Sequence, residues 1–382
     1  MKLETFYMSH TWVEISASAL KHNVASIRDL IGEERKLIAV VKANAYGHGL
    51  AQVAEVIEEA VDYFSVATVD EAQTLRRHGI KEPILVLAYV PEEPGMINWC
   101  REERVEVTVS SLGQAERLAR LVKDGELRVQ VKIDTGLGRL GIPAAEAVAI
   151  AHQIAKLGSL HIKGFFSHLA DPFGNITYTK KQLEEFSLAR GELERAGFDS
   201  QLYHLAKTTA ILSLPDSWHN AVRLGIGLYG IWPASELEHF VKKEKPDFSL
   251  QPVLSWKTQV LQVKDYPANS FVSYGCTYQT RRQTRLAIIP VGYYEGFDRG
   301  LSNRGQVLIN GTRCPVRGLV CMNMTIVDIT DAGRVFEGDE VVLIGQQGDE
   351  AITAHDLAEM AHTINYEIVS RINPLIERKV VD

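Results

Sequence analysis

One pattern constrains this chain more than any other. Between residues 36 and 230, short β-branched or apolar runs alternate with longer stretches of helical periodicity. Strands are expected at 37–41, 63–68, 84–88, 105–110, 127–134, 161–167, 202–205 and 222–229, with stretches such as DEAQTLRRHG and SLGQAERLARLVKDG between them. Strand then helix, repeated, makes a parallel sheet, because each crossover carries the chain back to the same end. Eight such units within about 200 residues suit a closed (β/α)8 barrel of the TIM type better than an open doubly wound sheet. The preceding SASALKHNVASIRDLIG reads as an added helix with Ser16 or Ser18 as its N-cap.

After about residue 245 the texture changes. SWKTQVLQV, TRLAIIPVGYY, GQVLING and DEVVLIG are short β runs divided by turn residues such as Asn310-Gly311, and a helical tail, ITAHDLAEMAHTINYEIVSRI, closes this part. The expected class is α/β: an N-terminal barrel over 15–245 and a C-terminal mostly-β domain over 246–382, joined by segment 1–14 through its TWVEIS strand.

Composition narrows the partners. At 46% hydrophobic and 23% charged, the 382 residues are those of an ordinary folded protein. With 41 basic against 48 acidic residues the net charge is −7, so no overall field draws the chain to nucleic acid or a membrane surface. Small molecules are the expected partners. Cys100, Cys276, Cys314 and Cys321 show no CxxC spacing, which fits reduced thiols in a cytoplasmic protein. The start, MKLETFYMSHTW, lacks an apolar signal core, and no apolar run is long enough to cross a bilayer.

Functional groups of a parallel barrel gather where strands end and loops begin. Lys42 closes the first strand, Lys132 and Asp134 the fifth, His168 the sixth and His204 the seventh, while Arg223, Gly225 and Gly227 belong to the eighth. Lys42 follows LIAVV, a buried-strand pattern. Either its stem lies along the barrel with its head in solvent, or desolvation lowers its pKa and leaves an amine able to condense with an aldehyde. Tyr46 is placed to hydrogen-bond an anion nearby. Thr208 and Thr209, before AILSL, read as an N-cap pair, and Gly225-Ile226-Gly227 allows close backbone approach. These are ordinary capping and strand packing, or a phosphate cradle. An imine-forming lysine and an anion cradle at one mouth together point to pyridoxal 5′-phosphate.

Two features mislead. Gly136-Leu137-Gly138-Arg139-Leu140-Gly141 fits G-x-G-x-x-G, but the acidic residue a dinucleotide site needs about twenty residues on is absent, since HIKGFFSH ends in Ser167 and His168. Arg139 is then a surface arginine or a ligand for a carboxylate, which its planar fork matches. Lys132, His168 and His204 imitate a metal-binding barrel, yet the first strand offers no H-x-H. No metal is expected, and His204 reads as a hydrogen-bonded structural group.

The run Ala39-Val-Val-Lys42-Ala-Asn-Ala-Tyr46-Gly-His48-Gly49 closely resembles the cofactor attachment segment of the alanine racemases. In the same order follow Val131 to Gly141, Arg223-Leu-Gly225-Ile226-Gly-Leu-Tyr229-Gly230, Val272-Ser-Tyr274-Gly275, Cys321-Met322 and Tyr366-Glu367. The resemblance runs from about residue 11 to the C-terminus. It implies that Lys42 holds pyridoxal phosphate, that Tyr46, Thr208, Gly225, Ile226 and Tyr366 hold its phosphate, and that Arg223 faces the pyridine nitrogen. It makes His168 the link between Arg223 and the catalytic tyrosine. Arg139 and the Met322 backbone would bind the substrate carboxylate, and Lys132 matches a position often carbamylated. Tyr274 matches a second catalytic base that the partner subunit of a homodimer supplies.

The implied reaction is interconversion of L- and D-alanine by two bases, Lys42 on the face handling D-alanine and Tyr274 on the other, supplying D-alanine for peptidoglycan. Lys207-Thr208 stands where the family usually has Asn-Ser, and Leu319, Asn323 and Met324 replace an arginine, an aspartate and a glutamine. These departures bear on substrate range. The alternatives are a serine or broad-specificity racemase, or a fold-related decarboxylase, whose Cys-rich C-terminal signature is missing here.

Overall fold

The computed structural model describes residues 10–199 and 201–382. Residues 1–9 of the expected segment 1–14 lie outside the described residues. The chain forms two compact units. One comprises Leu20–Ala43 and Ala54–Gln251, and the other the described residues up to Ala19, Asn44–Val53 and Pro252–Asp382. Asn44–Val53 thus groups with the second unit although it falls inside the span 15–245.

In the first unit eight parallel strands close on themselves. They are Lys36–Val40, Tyr63–Thr68, Ile84–Tyr89, Val105–Val109, Leu127–Asp134, Leu160–Phe166, Leu202–Lys207 and Ala221–Leu224, the last pairing back to the first. Every residue of Val105–Val109 is buried, as both-face coverage of a parallel sheet requires. Thr68, Ser111 and Asn175 cap the helices Val69–Arg77, Leu112–Leu121 and Ile176–Arg195, each accepting from the amide of the third helical residue. Among the described residues no helix is long and apolar enough to cross a membrane.

The eighth strand is shorter than expected. It stops at Leu224, Gly225 leaves the extended region (φ −101°, ψ −111°), and Ile226–Tyr229 turns as a 3-10 helix. The apolar run continues, but the amides of Gly225 and Gly227 go to the Thr208 hydroxyl at 3.0 and 3.3 Å instead of to a neighbouring strand.

In the second unit the main sheet runs Thr312–Pro315, Gln306–Ile309, Glu340–Gln347, Leu254–Gln259, Thr11–Ser16, Glu377–Val381. Thr11–Ser16 is antiparallel to Leu254–Gln259 and parallel to Glu377–Val381. Trp256, fully buried, donates its indole N–H to Thr11 Oγ1 at 3.2 Å. Ser16 Oγ accepts from Ala19 N at 3.0 Å and is the cap of the helix Ala17–Ile31. Asn310 and Gly311 take positive φ (51° and 71°) in the two-residue turn joining Ile309 to Thr312, as a tight hairpin demands. The helical tail does not close the chain: after Ala354–Ala361 and Asn365–Ser370 the last residues, ERKVV, form a strand of this sheet.

Gly164, in the sixth barrel strand, lies where an added Cβ would meet Leu202 O at 2.8 Å. Gly164→Val overpacks this position and is expected to cost about 1–3 kcal/mol, read as a lower urea midpoint at unchanged m-value.

Candidate active site

The turn after the first barrel strand is wound against the usual sense. Lys42–Tyr46 forms a helical turn in which Ala43, Asn44, Ala45 and Tyr46 all have φ between 52° and 54°. For L-residues this left-handed winding costs about 1–2 kcal/mol per residue. Named hydrogen bonds offset it. Glu71 accepts from Ala43 N through Oε1 (2.6 Å) and from Ala67 N through Oε2 (2.7 Å). Further along, Asn44 Oδ1 accepts from Leu50 N at 2.9 Å, and Gly47 O accepts from Arg378 Nη2 at 2.9 Å. Gly47 admits no side chain, because a Cβ would sit 1.9 Å from Val369 O.

Lys42 begins that turn, half-buried. Burial lowers its pKa, and Arg139 and Arg223 push the same way while Glu71 opposes them. Lys132, buried against the Phe166 ring (5.7 Å), is lowered to about 8, first by burial and then by Arg139 and Arg223, with Asp134 opposing. His168 is lowered to about 2, by burial and then by Arg223, Lys207, Arg139 and Lys132. The structure therefore brings Lys42, Lys132, Arg139, His168, Lys207 and Arg223 into one electrostatic neighbourhood. Arg139 is exposed and makes no hydrogen bond or ion pair among the described residues.

Arg223 is 3% exposed, and no carboxylate among the described residues forms an ion pair with it. Its Nη1 donates to His204 O (2.9 Å) and to His204 Nδ1 (2.5 Å). Its Nη2 donates to Ser167 O (2.7 Å) and Leu205 O (3.0 Å), with His168 Nδ1 at 3.5 Å. Among the described residues nothing accepts from Nε, so that N–H remains for a ligand. Burial pulls the guanidinium down to about 9, and it stays a cation at neutral pH. Because Arg223 can only donate, His168 Nδ1 accepts and the ring carries its proton on Nε2. His168 is thus a neutral donor, not the cation that would by itself favour a nearby phenolate.

Thr208 is not an N-cap. It is the first residue of the helix Thr208–Ser213, and Lys207 occupies the cap position without a side-chain bond. The Thr208 hydroxyl accepts from Gly225 N and Gly227 N, which leaves its own proton to donate. Gly227 allows this approach, since a Cβ there would meet Thr208 Cγ2 at 2.7 Å. The dinucleotide-like loop is closed in another way. Asp134 Oδ1 accepts from the amides of Gly136 (3.0 Å), Leu137 (2.8 Å) and Gly138 (3.2 Å), so those N–H groups are not available to cradle a phosphate. His204 is fully buried with both ring nitrogens engaged, by Gln130 and Arg223, and offers no lone pair to a metal.

The remaining candidates belong to the second unit. The Tyr46 and Tyr366 rings lie 6.2 Å apart. Burial raises Tyr46, with Tyr366 adding to the effect, and burial raises Tyr366 to about 12. Both remain protonated phenols, able to donate to an anion. Tyr274 is 73% exposed, beside Ser273, whose φ is +65°. Ser273 Oγ donates to Leu319 O (2.7 Å) and lies 3.6 Å from Cys321 Sγ, which ties the Tyr274 segment to Cys321-Met322. Met322 O accepts from Tyr294 N at 2.9 Å, leaving the Met322 N–H as the group that can meet a carboxylate. Asn323 Nδ2 is spent on Glu295 Oε1 (2.8 Å). The sequence reading missed Glu71, Glu106 and Gln130. Glu106 and Gln130 had a signal, a carboxyl and an amide inside the apolar runs VEVTV and RVQV.

His48, His168, His204 and His219 are all held neutral, at about 3, about 2, well below 6.5, and about 4, burial being the largest cause in each. Each takes up a proton on unfolding once the pH is below 6.5, so stability is whole above that pH and lost on the way down. The expected loss is about 1.4 kcal/mol per pH unit for each histidine. Urea midpoints measured from pH 7 to pH 4.5 check this, and a flat profile would contradict it.

Comparison with known proteins agrees with this geometry. Residues 15–233 match the family model for the alanine racemase N-terminal domain, and residues 253–380 the one for the C-terminal domain. The alanine racemase of Symbiobacterium thermophilum is 43% identical over 381 residues, covering 97% of each chain. That of Methanococcus maripaludis is 38% identical, covering 96% of this chain and 97% of its own. The crystal structure of alanine racemase from Bacillus anthracis with bound L-Ala-P superposes with a TM-score of 0.91 at 34% identity, over 98% of this chain and 96% of that one. The chain belongs to the alanine racemase family.

Proposed function

We propose that the protein is a pyridoxal-phosphate-dependent racemase that interconverts L- and D-alanine, with Lys42 and Tyr274 as its two bases. The observation that carries this reading is the barrel mouth: an amine of lowered pKa beside a buried guanidinium with one N–H to spare and a Thr208 hydroxyl free to donate. These residues fit pyridoxal phosphate. Lys42 would hold its aldehyde carbon, the donors Tyr46, Tyr366, Thr208 and the backbone at Gly225 and Ile226 its phosphate, and Arg223 its ring nitrogen. When bound, this cofactor supplies an electron sink for the pair left at Cα.

One base cannot reach both faces of a planar Cα. Lys42, kept from full protonation by burial and its cationic neighbours, takes or returns the proton on one face. Tyr274, from a second copy of the chain, acts on the other. The neutral His168 offers its Nε2–H to the Tyr274 oxygen and so passes on the polarisation by Arg223, favouring phenolate without itself becoming charged. Arg223 keeps its proton and disfavours a second cation at the ring nitrogen, which limits side reactions. Arg139 and the Met322 N–H bind the substrate carboxylate. The D-alanine so formed serves peptidoglycan synthesis in the cytoplasm.

The purified protein is expected to be yellow and to racemise L-alanine in a chiral assay. Lys42→Ala should abolish the bound chromophore, and Tyr274→Phe should cripple removal of the L-substrate proton with cofactor still bound. Mixing the two variants should restore part of the activity through hybrid dimers. Full activity in both single variants, or carbon dioxide release in place of racemisation, would refute the assignment.

Lys132, at about 8, holds enough neutral amine near neutral pH to add carbon dioxide, and the carbamate would be an anion beside Arg139. Bicarbonate is therefore expected to raise the mass of the intact protein by one carbon dioxide more completely at pH 8.5 than at pH 6. Lys132→Arg should remove the increment.

A further inference from the structure

Inside the barrel, below the mouth, a chain of polar side chains, half-buried at Tyr63 and buried from Glu106 on, runs to Arg223 from the opposite wall. Tyr63 Oη donates to Glu106 Oε1 at 3.3 Å, Gln130 Nε2 donates to Glu106 Oε2 at 2.5 Å, and Gln130 Oε1 lies 2.6 Å from His204 Nε2. His204 Nδ1 then accepts from Arg223 Nη1. Glu106, Gln130 and His204 are each at most 1% exposed. Polar groups this deep in an apolar core destabilise the fold unless each is satisfied.

The polarity of the chain is fixed from Arg223 as far as Glu106 Oε2. A guanidinium only donates, so Nδ1 of His204 accepts and the imidazole proton sits on Nε2. Nε2–H must donate, so Gln130 presents its oxygen there and its NH2 to Glu106. Both Glu106 oxygens then accept, which is the pattern of a carboxylate anion. The His204 ring is stacked on Phe166 (centroids 4.9 Å apart, planes within 4°), and Arg223 lies over the same ring at 5.5 Å. Phe166 therefore fixes the plane in which His204 meets Arg223.

We propose that Glu106, Gln130 and His204 are positioning residues for Arg223: the Glu106 carboxylate is its distant countercharge, and the fixed hydrogen-bond polarity between them holds the guanidinium with Nε left over for the ligand. The role assigned to that ligand rests on the function proposed above. Burial raises the Glu106 pKa, while Gln130, Lys163, Tyr63 and Arg128 act to keep the anion. His204 falls well below 6.5 from burial and the charge of Arg223, consistent with a ring that stays neutral.

Nitrogen-15 NMR of the full chain without cofactor, at neutral pH, should show His204 as the neutral Nε2–H tautomer. An Nδ1–H tautomer or an imidazolium would overturn the chain. With pyridoxal phosphate added, Glu106→Gln keeps the side-chain size and removes the countercharge. It should shift the absorbance maximum of the bound cofactor and weaken cofactor binding by roughly tenfold, the scale of one charge-assisted hydrogen bond. kcat for alanine should fall with KM within about twofold. His204→Phe, which preserves the stack on Phe166, should give the same signature more strongly, and Glu106→Gln serves alone if that variant does not fold. A variant that loses thermal stability but keeps the wild-type spectrum, cofactor affinity and kcat would overturn the positioning role. A wild-type protein that takes up no chromophore would sink the reading of the site, while the histidine signals would still judge the chain.

Discussion

A permanent cation sealed from water, with no anion in contact among the described residues, is the constraint around which the barrel mouth is arranged. Burying a lone ion costs several kcal/mol, and the charge of an arginine cannot be discharged by titration at neutral pH. The solution is dipolar. Ser167, just past the sixth strand, and His204 and Leu205, inside the seventh where its pairing with the eighth slips register, turn backbone carbonyls onto Arg223, and His204 adds a ring nitrogen. A register slip of this kind leaves strand carbonyls without a ladder partner and so available to a guanidinium. With its charge undiminished, Arg223 depresses the pKa of Lys42, Lys132, Lys207 and His168. The Lys42 amine is therefore conditioned by the charge of Arg223 as well as by its own burial.

Much of the barrel was legible because strands buried on both faces keep apolar runs whatever their loops do. Tyr63–Thr68 and Leu127–Asp134 were readable to the residue. The eighth strand was not, since VRLGIGLYG is as apolar after Gly225 as before it, and only the Thr208 hydroxyl ends the pairing. The same hydroxyl misled in another way. A Thr before an apolar helix carries the sequence signature of a cap whether it caps or not. Glu106 and Gln130 lie within strands, away from the strand ends where the functional groups of a parallel barrel are expected. The final strand, Glu377–Val381, was hidden because ERKVV is charged and exposed at all but Arg378, so it carries no apolar run.

The second unit teaches a different lesson. Asn44–Val53 belongs with it although barrel sequence surrounds the segment on both sides. Composition cannot reveal this, because the attachment is made through single close approaches such as Gly47 against Val369 and Arg378 on the Gly47 carbonyl. Ser273 at positive φ and its bond to Leu319 likewise set where Tyr274 emerges, and no propensity argument predicts a serine in that region.

The winding of Ala43 to Tyr46 has a last consequence. KANAY reads as good right-handed material, yet it is folded as the mirror-image screw. Reversing the screw moves every side chain after Lys42 to the other flank of the turn, so the identity of the residues and the direction they face are decided by different forces. Such a backbone is selective: branched side chains collide with their own carbonyls, Ala43, Asn44 and Ala45 sit there at modest expense, and Tyr46 is the one bulky group held in it. The stretch from Ala43 to Ala45 is therefore narrow in what it can be built from, and its small residues are a record of its handedness.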